Sequence, residues 1–142
     1  MPVPRAVMDT NVLYAAQHSR KGASFAVLQA LHDRKWSLIL SQTVLTEYEE
    51  VLMRSLAELE LTPEKAGSVL DDICSVAEEF ATGDQWMPIL PDADDEAFAH
   101  LADEARCDFL ITHNVRHFRP ASGRGFRVVA PKDFLAILRS RP

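Results

Sequence analysis

At 142 residues, 47% of them apolar, the chain can bury one continuous core and is too short for two comfortable domains, so a single domain over residues 1–142 is expected. No apolar run approaches the roughly 18 residues of a membrane span, and no apolar segment of signal-peptide length follows Met1 to Arg5, so the expectation is a soluble, cytoplasmic protein with no membrane partner. The net charge of −6 argues against a nucleic-acid partner only as a sum, because positions 44–104 carry 2 Lys+Arg against 17 Asp+Glu while positions 106–142 carry 8 against 2.

The chain begins with a short apolar run, Ala6-Val7-Met8, that ends in Asp9. This reads as a buried strand over residues 5–9 with a carboxylate at its tip, and Thr10 or Asn11 can cap the helix that follows to about Gln17. After a polar break, Phe25, Leu28 and Leu31 mark one apolar face of a second helix, and Trp36 to Leu40 reads as a second strand. Ser41 or Thr43 starts a helix over about 43–56, with Val44, Leu45, Tyr48, Val51 and Leu52 on one stripe. Glu47 and Glu49 flank that stripe on opposite sides, and periodicity does not choose between them. A Thr62 cap with Pro63 at the first position opens another helix, expected to run to near Gly83.

Gln85 to Leu90 is expected to be a third strand, at an edge because Pro88 cannot donate to a ladder. Asp92, Asp94, Asp95 and Glu96 then open a helix, suiting its positive N-terminal end. Cys107 to Thr112 is the fourth strand, ending in His113-Asn114, and Phe126 to Val129 is the last, followed by a helix from Pro131. Strands and helices alternate throughout, which predicts an α/β fold with a mainly parallel central sheet and helices on both faces. The two cysteines, Cys74 and Cys107, lie far apart without metal-like spacing and are expected to be buried free thiols.

Asp9, Glu47, the Asp92 to Asp95 cluster and Asn114 all fall where such a fold brings strand ends and helix starts to the carboxyl edge of the sheet, the usual ligand position in open α/β sheets. Acids converging there repel one another unless a cation sits between them, and oxygen-only ligation favours Mg²⁺ or Mn²⁺ over zinc. Each residue also has a plainer reading: Asp9 as a helix cap, Glu47 as a surface glutamate, Asp92 with Asp95 as a cap and a first-turn acid, Asn114 as a turn residue. Among only five glycines there is no G-x-S-x-G, no P-loop and no G-x-G-x-x-G, which argues against a serine-hydrolase elbow, an ATPase and a dinucleotide enzyme. His113 and His117 have i, i+4 spacing, but no Glu follows His113, so zinc is not expected there.

Taken together, Met8 to Leu13, Ser41 to Leu52, Asp92 to Asp95 and Leu110 to Asn114 resemble the PIN-domain family, and within it the toxin components of toxin-antitoxin systems, similar to VapC-type ribonucleases. The resemblance covers about Arg5 to Leu138 and implies a three-layer α/β/α sandwich. It also implies Mg²⁺- or Mn²⁺-dependent hydrolysis of RNA by a metal-activated water. It assigns Asp9, Glu47 and Asp95 as the catalytic, metal-holding acids, with Asn114 where the family often has a fourth acid, Thr112 as a hydroxyl at the strand end and Asn11 as a polar helper. Asp92 and Asp94 remain secondary candidates. The chain departs from the family pattern at Asn114, which supplies no charge, and at Ala93, where a proline is usual. The resemblance further implies self-association, as a homodimer, and a separate antitoxin protein that blocks the site. Two other readings stay open: a catalytically silent scaffold of this fold that binds protein or RNA, and a receiver-like phosphotransfer domain, which is disfavoured because no lysine follows the strand ending at Thr112.

Overall fold

The computed structural model describes residues 2–141; Met1 and Pro142, the ends of the expected domain, lie outside the described residues. Strand β1 (Arg5–Met8) leads into helix α1 (Thr10–His18) and, after a turn, α2 (Ala23–His32). Strand β2 (Ser37–Leu40) is followed by α3 (Gln42–Arg54), the single turn α4 (Leu56–Leu59) and α5 (Pro63–Val76), and then by β3 (Glu78–Glu79). A long loop and a 3-10 turn (Ala93–Asp95) precede α6 (Glu96–Glu104), β4 (Phe109–Ile111), a second 3-10 segment (Val115–Ala121), β5 (Arg127–Val129) and α7 (Pro131–Arg139).

The five strands are all parallel, in the order β3-β2-β1-β4-β5. Ala6, Val7 and Met8 in the central strand, and Leu110 and Ile111 beside it, are fully buried, which is why these strands read as unbroken apolar runs rather than alternating ones. Helices complete a three-layer α/β/α sandwich: α6 packs on β1, β2 and β4, α2 packs between α1 and α7, and α3 joins α1 to α5. Trp36, Phe109 and Phe134 meet edge to face in the core, and the Trp36 indole donates to the Val27 carbonyl at 2.9 Å, so its one polar group is satisfied.

Local chemistry sets most helix starts. Ser41 accepts from the Val44 amide and Thr62 from the Lys65 amide with Pro63 at the first position, whereas the first helix is one residue longer at its start than expected, with Asp9 at its N-cap position. The expected helix over 43–56 breaks at Ser55, and the left-handed Glu60 (φ 55°) turns the chain into α5.

One expected strand is absent and another stands in its place. Gln85 to Leu90 forms no strand, because the amides of Ile89 and Leu90 bind the Glu96 carboxylate at 2.8 and 2.6 Å and Pro88 has no amide to offer. The edge is instead the exposed pair Glu78–Glu79, which requires α5 to stop at Val76 rather than near Gly83. Cys107 is buried, and burial pushes its thiol up to about 12; Cys74, contrary to expectation, is exposed.

Candidate active site

The strand order reverses direction between β1 and β4, and the two residues that leave these strands, Asp9 and Thr112, stand side by side. The Asp9 amide donates to the Ile111 carbonyl at 2.9 Å, extending the β1–β4 ladder by one step, while its side chain makes no capping bond to α1. That carboxylate instead accepts the Thr112 hydroxyl at 2.7 Å. Thr112 is fully buried and serves three neighbours, since its oxygen also accepts the Asn114 amide at 3.0 Å and the Asn11 side-chain amide at 3.5 Å. Burial pushes Asp9 above its ordinary value, and the Thr112 hydroxyl and the amides of Asn11 and Thr10 pull it back in part.

Glu47 reaches the same place from α3. Its neighbour Tyr48 is completely buried and donates its hydroxyl to the Met8 carbonyl at 2.5 Å, which locks the rotation of α3 against the end of β1. Glu47 is thereby half-buried and faces the cleft, accepting the Thr10 hydroxyl at 2.5 Å, while Glu49 and Glu50 are exposed. Burial, followed by the charges of Asp9 and Asp94, raises its pKa against the opposing Thr10 bond and Arg54.

Asp95 arrives from the 3-10 turn before α6. Burial first, then the charges of Asp9 and Asp92, push it up to about 6, although His117 Nδ1, 4.0 Å away, opposes the shift. The turn is set by Asp92, whose carboxylate accepts the Asp94 amide at 2.9 Å, so Asp92 is a cap and is exposed. Behind the turn, Glu96 holds the preceding loop by the two amides already named and by the Trp86 indole at 2.7 Å. Trp86 is in turn stacked on His100 at 4.8 Å and covered by the Arg124 guanidinium at 5.1 Å.

Asp9, Glu47, Asp94 and Asp95 line one open cavity of about 290 Å³, together with Thr10, Asn11, Tyr14, Val51, Arg54 and Phe98. Asn114 is not among its walls: the residue is exposed, and its described bonds are backbone ones, its amide to Thr112 and its carbonyl to the His117 amide. His113 and His117 part company, the first bonding Ser24 Oγ at 2.7 Å and the second lying beside Asp95. Arg54 and Tyr14 were missed by sequence reasoning, although Arg54 follows Glu47 by seven residues and Tyr14 follows Thr10 by four, both spacings that return to one helix face. Among the described residues, none of the basic C-terminal stretch lines this cavity: Arg124 pairs with Asp103 at 3.6 Å, and Arg139 and Arg141 lie at the far end of α7.

Among the described residues no group of three or more Asp, Glu, His or Cys side chains is arranged to hold a metal ion. The donor set nevertheless suits a hard divalent cation. It consists of carboxylates only, and those of Glu47 and Asp95 are held above their ordinary values partly by their acidic neighbours, a repulsion that a cation between them relieves.

An all-parallel sheet with helices on both faces and an acidic cleft at its switch point defines a class of α/β protein that works at the carboxyl edge of its strands. Within that class the chain belongs to the PIN-domain family, whose model, described as PIN domain, matches residues 5–116. The fold is similar to that of a chain in the crystal structure of VapBC2 from Rickettsia felis bound to a DNA fragment from their promoter, with a TM-score of 0.62, 16% identity, and 89% of this chain and 98% of that one covered. It is also similar to PAE2754 from Pyrobaculum aerophilum, with a TM-score of 0.60, 13% identity, and 97% and 91% covered. No curated protein matches the chain.

Proposed function

We propose that the chain is a Mg²⁺- or Mn²⁺-dependent endoribonuclease and the toxin of a toxin-antitoxin pair. The observation that carries the reading is the convergence of Asp9, Glu47 and Asp95, from three separate elements, on one open cavity at the sheet's switch point. Asp9 and Glu47 are each steadied by a threonine hydroxyl, and Asp95 by the capped turn that carries it, so the three carboxylates are the groups that would hold the cation. When bound, such an ion supplies a Lewis acid that neutralises charge on a phosphodiester and eases deprotonation of water. Arg54, on the same wall, would offer a phosphate oxygen of the substrate a charged partner, and Tyr14 and Phe98 give the cleft apolar surface. Asn114, turned out to solvent, enters the site only through its amide, so Thr112 rather than Asn114 carries the influence of that strand end on Asp9. The similarity to a chain of the VapBC2 structure supports an antitoxin partner, and the cytoplasm, homodimer and RNA substrate belong to the same reading.

The test is incubation of the purified chain with total RNA, with Mn²⁺ and with chelator, followed by mapping of the cut ends. Cleavage is expected only with metal, and Asp9→Asn is expected to lower it by about 10²-fold or more, since it removes a charge from the cation's surroundings, while leaving the circular dichroism of the folded chain unchanged. Full activity in Asp9→Asn overturns the assignment. Absence of cleavage at any Mn²⁺ concentration, with a tight complex to a small protein, establishes the silent scaffold instead.

A further inference from the structure

A second cavity, larger than the acidic one, lies away from the acids. About 800 Å³ in volume, it opens between α2 and α7, with Val3 from the start of the chain and Asp33, Arg34 and Lys35 from the turn that leads into β2. These segments belong to the amino edge of the sheet, opposite the edge that carries Asp9. Its floor is aliphatic, with Ala26, Ala30 and Leu138 half-buried along it and Leu135 beneath. Among the described residues, its rim carries four exposed cations, Arg34, Lys35, Arg139 and Arg141, against one acid, Asp33. On a chain of net charge −6, this is a concentrated positive border around apolar surface.

We propose that this groove docks an acidic amphipathic helix of a partner protein, its apolar stripe on Ala26, Ala30 and Leu138 and its carboxylates against Lys35 and Arg139. The shape fits: Phe25 to Ala30 of α2 and Leu135 to Arg139 of α7 line about 6–8 Å of the groove, and Asp33 to Lys35 and Arg141 continue it, room for about two turns of a docked helix reading i, i+3, i+4, i+7. Charge complementarity selects the sign of the partner. Nucleic acid fits less well, because the floor offers one aromatic, Phe25, where a stacking platform needs several. A second copy of this chain also fits less well. Its exposed large apolar residues are Val3, Met53 and Met87 among those described, and they form no stripe on an acidic helix.

The inference stands independently of the nuclease reading, so its test uses chelator throughout. Fluorescence anisotropy is measured with a labelled peptide of about 15 residues, leucines at i, i+4, i+7 and i+11 among glutamates and alanines, against a peptide of the same composition with the leucines scattered. A single-stranded RNA of similar length is the third probe. At ~50 mM salt the striped peptide is expected to bind about tenfold more tightly than the scattered one, and the exposed double variant Lys35→Glu with Arg139→Glu is expected to weaken it by about tenfold. A floor variant, Ala30→Gln, is expected to weaken the striped peptide alone. Equal binding of the two peptides, no effect of the rim variant, or an effect of the rim variant confined to RNA each overturns the proposal.

Discussion

Asp9 owes its position to a neighbour 103 residues away in sequence. The Thr112 hydroxyl is its one described side-chain donor, and Thr112 is fully buried, so the pair is a small polar island in an apolar sheet. Thr112→Val keeps the shape and removes the donor. It is expected to cost about 1–3 kcal/mol in urea unfolding, because Asp9 and the Asn114 amide both lose a partner, and to lower metal-dependent cleavage, with Thr112→Ser restoring both. Asp95 carries the opposite kind of strain. Its carboxyl is pushed up to about 6 from 3.8, so between those values the folded chain binds more protons than the unfolded one. The stability contributed by this group is therefore fully present below about pH 4, falls as pH rises towards 6 and stays low above it. Asp95→Asn is expected to raise the melting temperature at pH 7.5 by about 2–4 °C and to give no gain near pH 4, where the native carboxyl is protonated as well. Equal gains at both pH values would contradict the shift. Asp9 was legible in sequence because it ends an apolar run, whereas Asp95 stood in a cluster from Asp92 to Asp95 and was singled out only by the family resemblance; their partners were not legible, since a threonine, a tyrosine and an arginine look ordinary until the fold sets them beside an acid.

At the scale of elements, the third acid depends on a loop that was misread. Gln85 to Leu90 has the composition of a strand, and Trp86, Ile89 and Leu90 are held against the body of the protein while Met87 is exposed, but its hydrogen bonds run to a side chain rather than to a ladder. Nothing local announces that Glu96, a first-turn acid of α6, reaches back to collect two amides and an indole. Burial opposes its ionisation, yet the Trp86 indole and the amides of Leu90 and Ile89 hold its carboxyl below the ordinary range. Glu96→Gln turns an amide N–H toward the Trp86 N–H, donor against donor, if its oxygen keeps the two backbone amides. Hydrogen exchange at Ile89 and Leu90 is expected to quicken by about tenfold, and cleavage to fall as the turn carrying Asp95 loosens. Exchange that is unchanged in Glu96→Gln would show that the loop is held by packing alone. Edge strand β3 was invisible for a related reason: two glutamates have poor strand propensity, and their pairing with β2 is decided by where α5 ends. The choice of Glu47 over Glu49 was likewise beyond periodicity, because it turns on the Tyr48 hydroxyl finding the Met8 carbonyl across the layers.

At the scale of the whole molecule, the alternation of apolar strands with amphipathic helices was enough to give the layered α/β class, and all-parallel pairing follows once every connection is a long one. Charge segregation along the chain was visible too, but its meaning changed on folding. The acidic middle supplies Glu47, Asp94 and Asp95 and, in Arg54, the cation beside them, while basic residues of the C-terminal stretch border the opposite edge. We propose that Asp9, Glu47 and Asp95 hold one cation, with Asp94 on the wall of the same cavity and Glu49 and Asp92 outside it. The most direct measurement is a Mn²⁺ titration followed by calorimetry at pH 7.5, above the range in which Asp95 titrates. Saturable binding is expected for the native chain, weakened about tenfold or more in Asp9→Asn, Glu47→Gln and Asp95→Asn and unchanged in Glu49→Gln and Asp92→Asn. Binding that is absent from the native chain, or that falls as far in Glu49→Gln as in Glu47→Gln, would contradict the account.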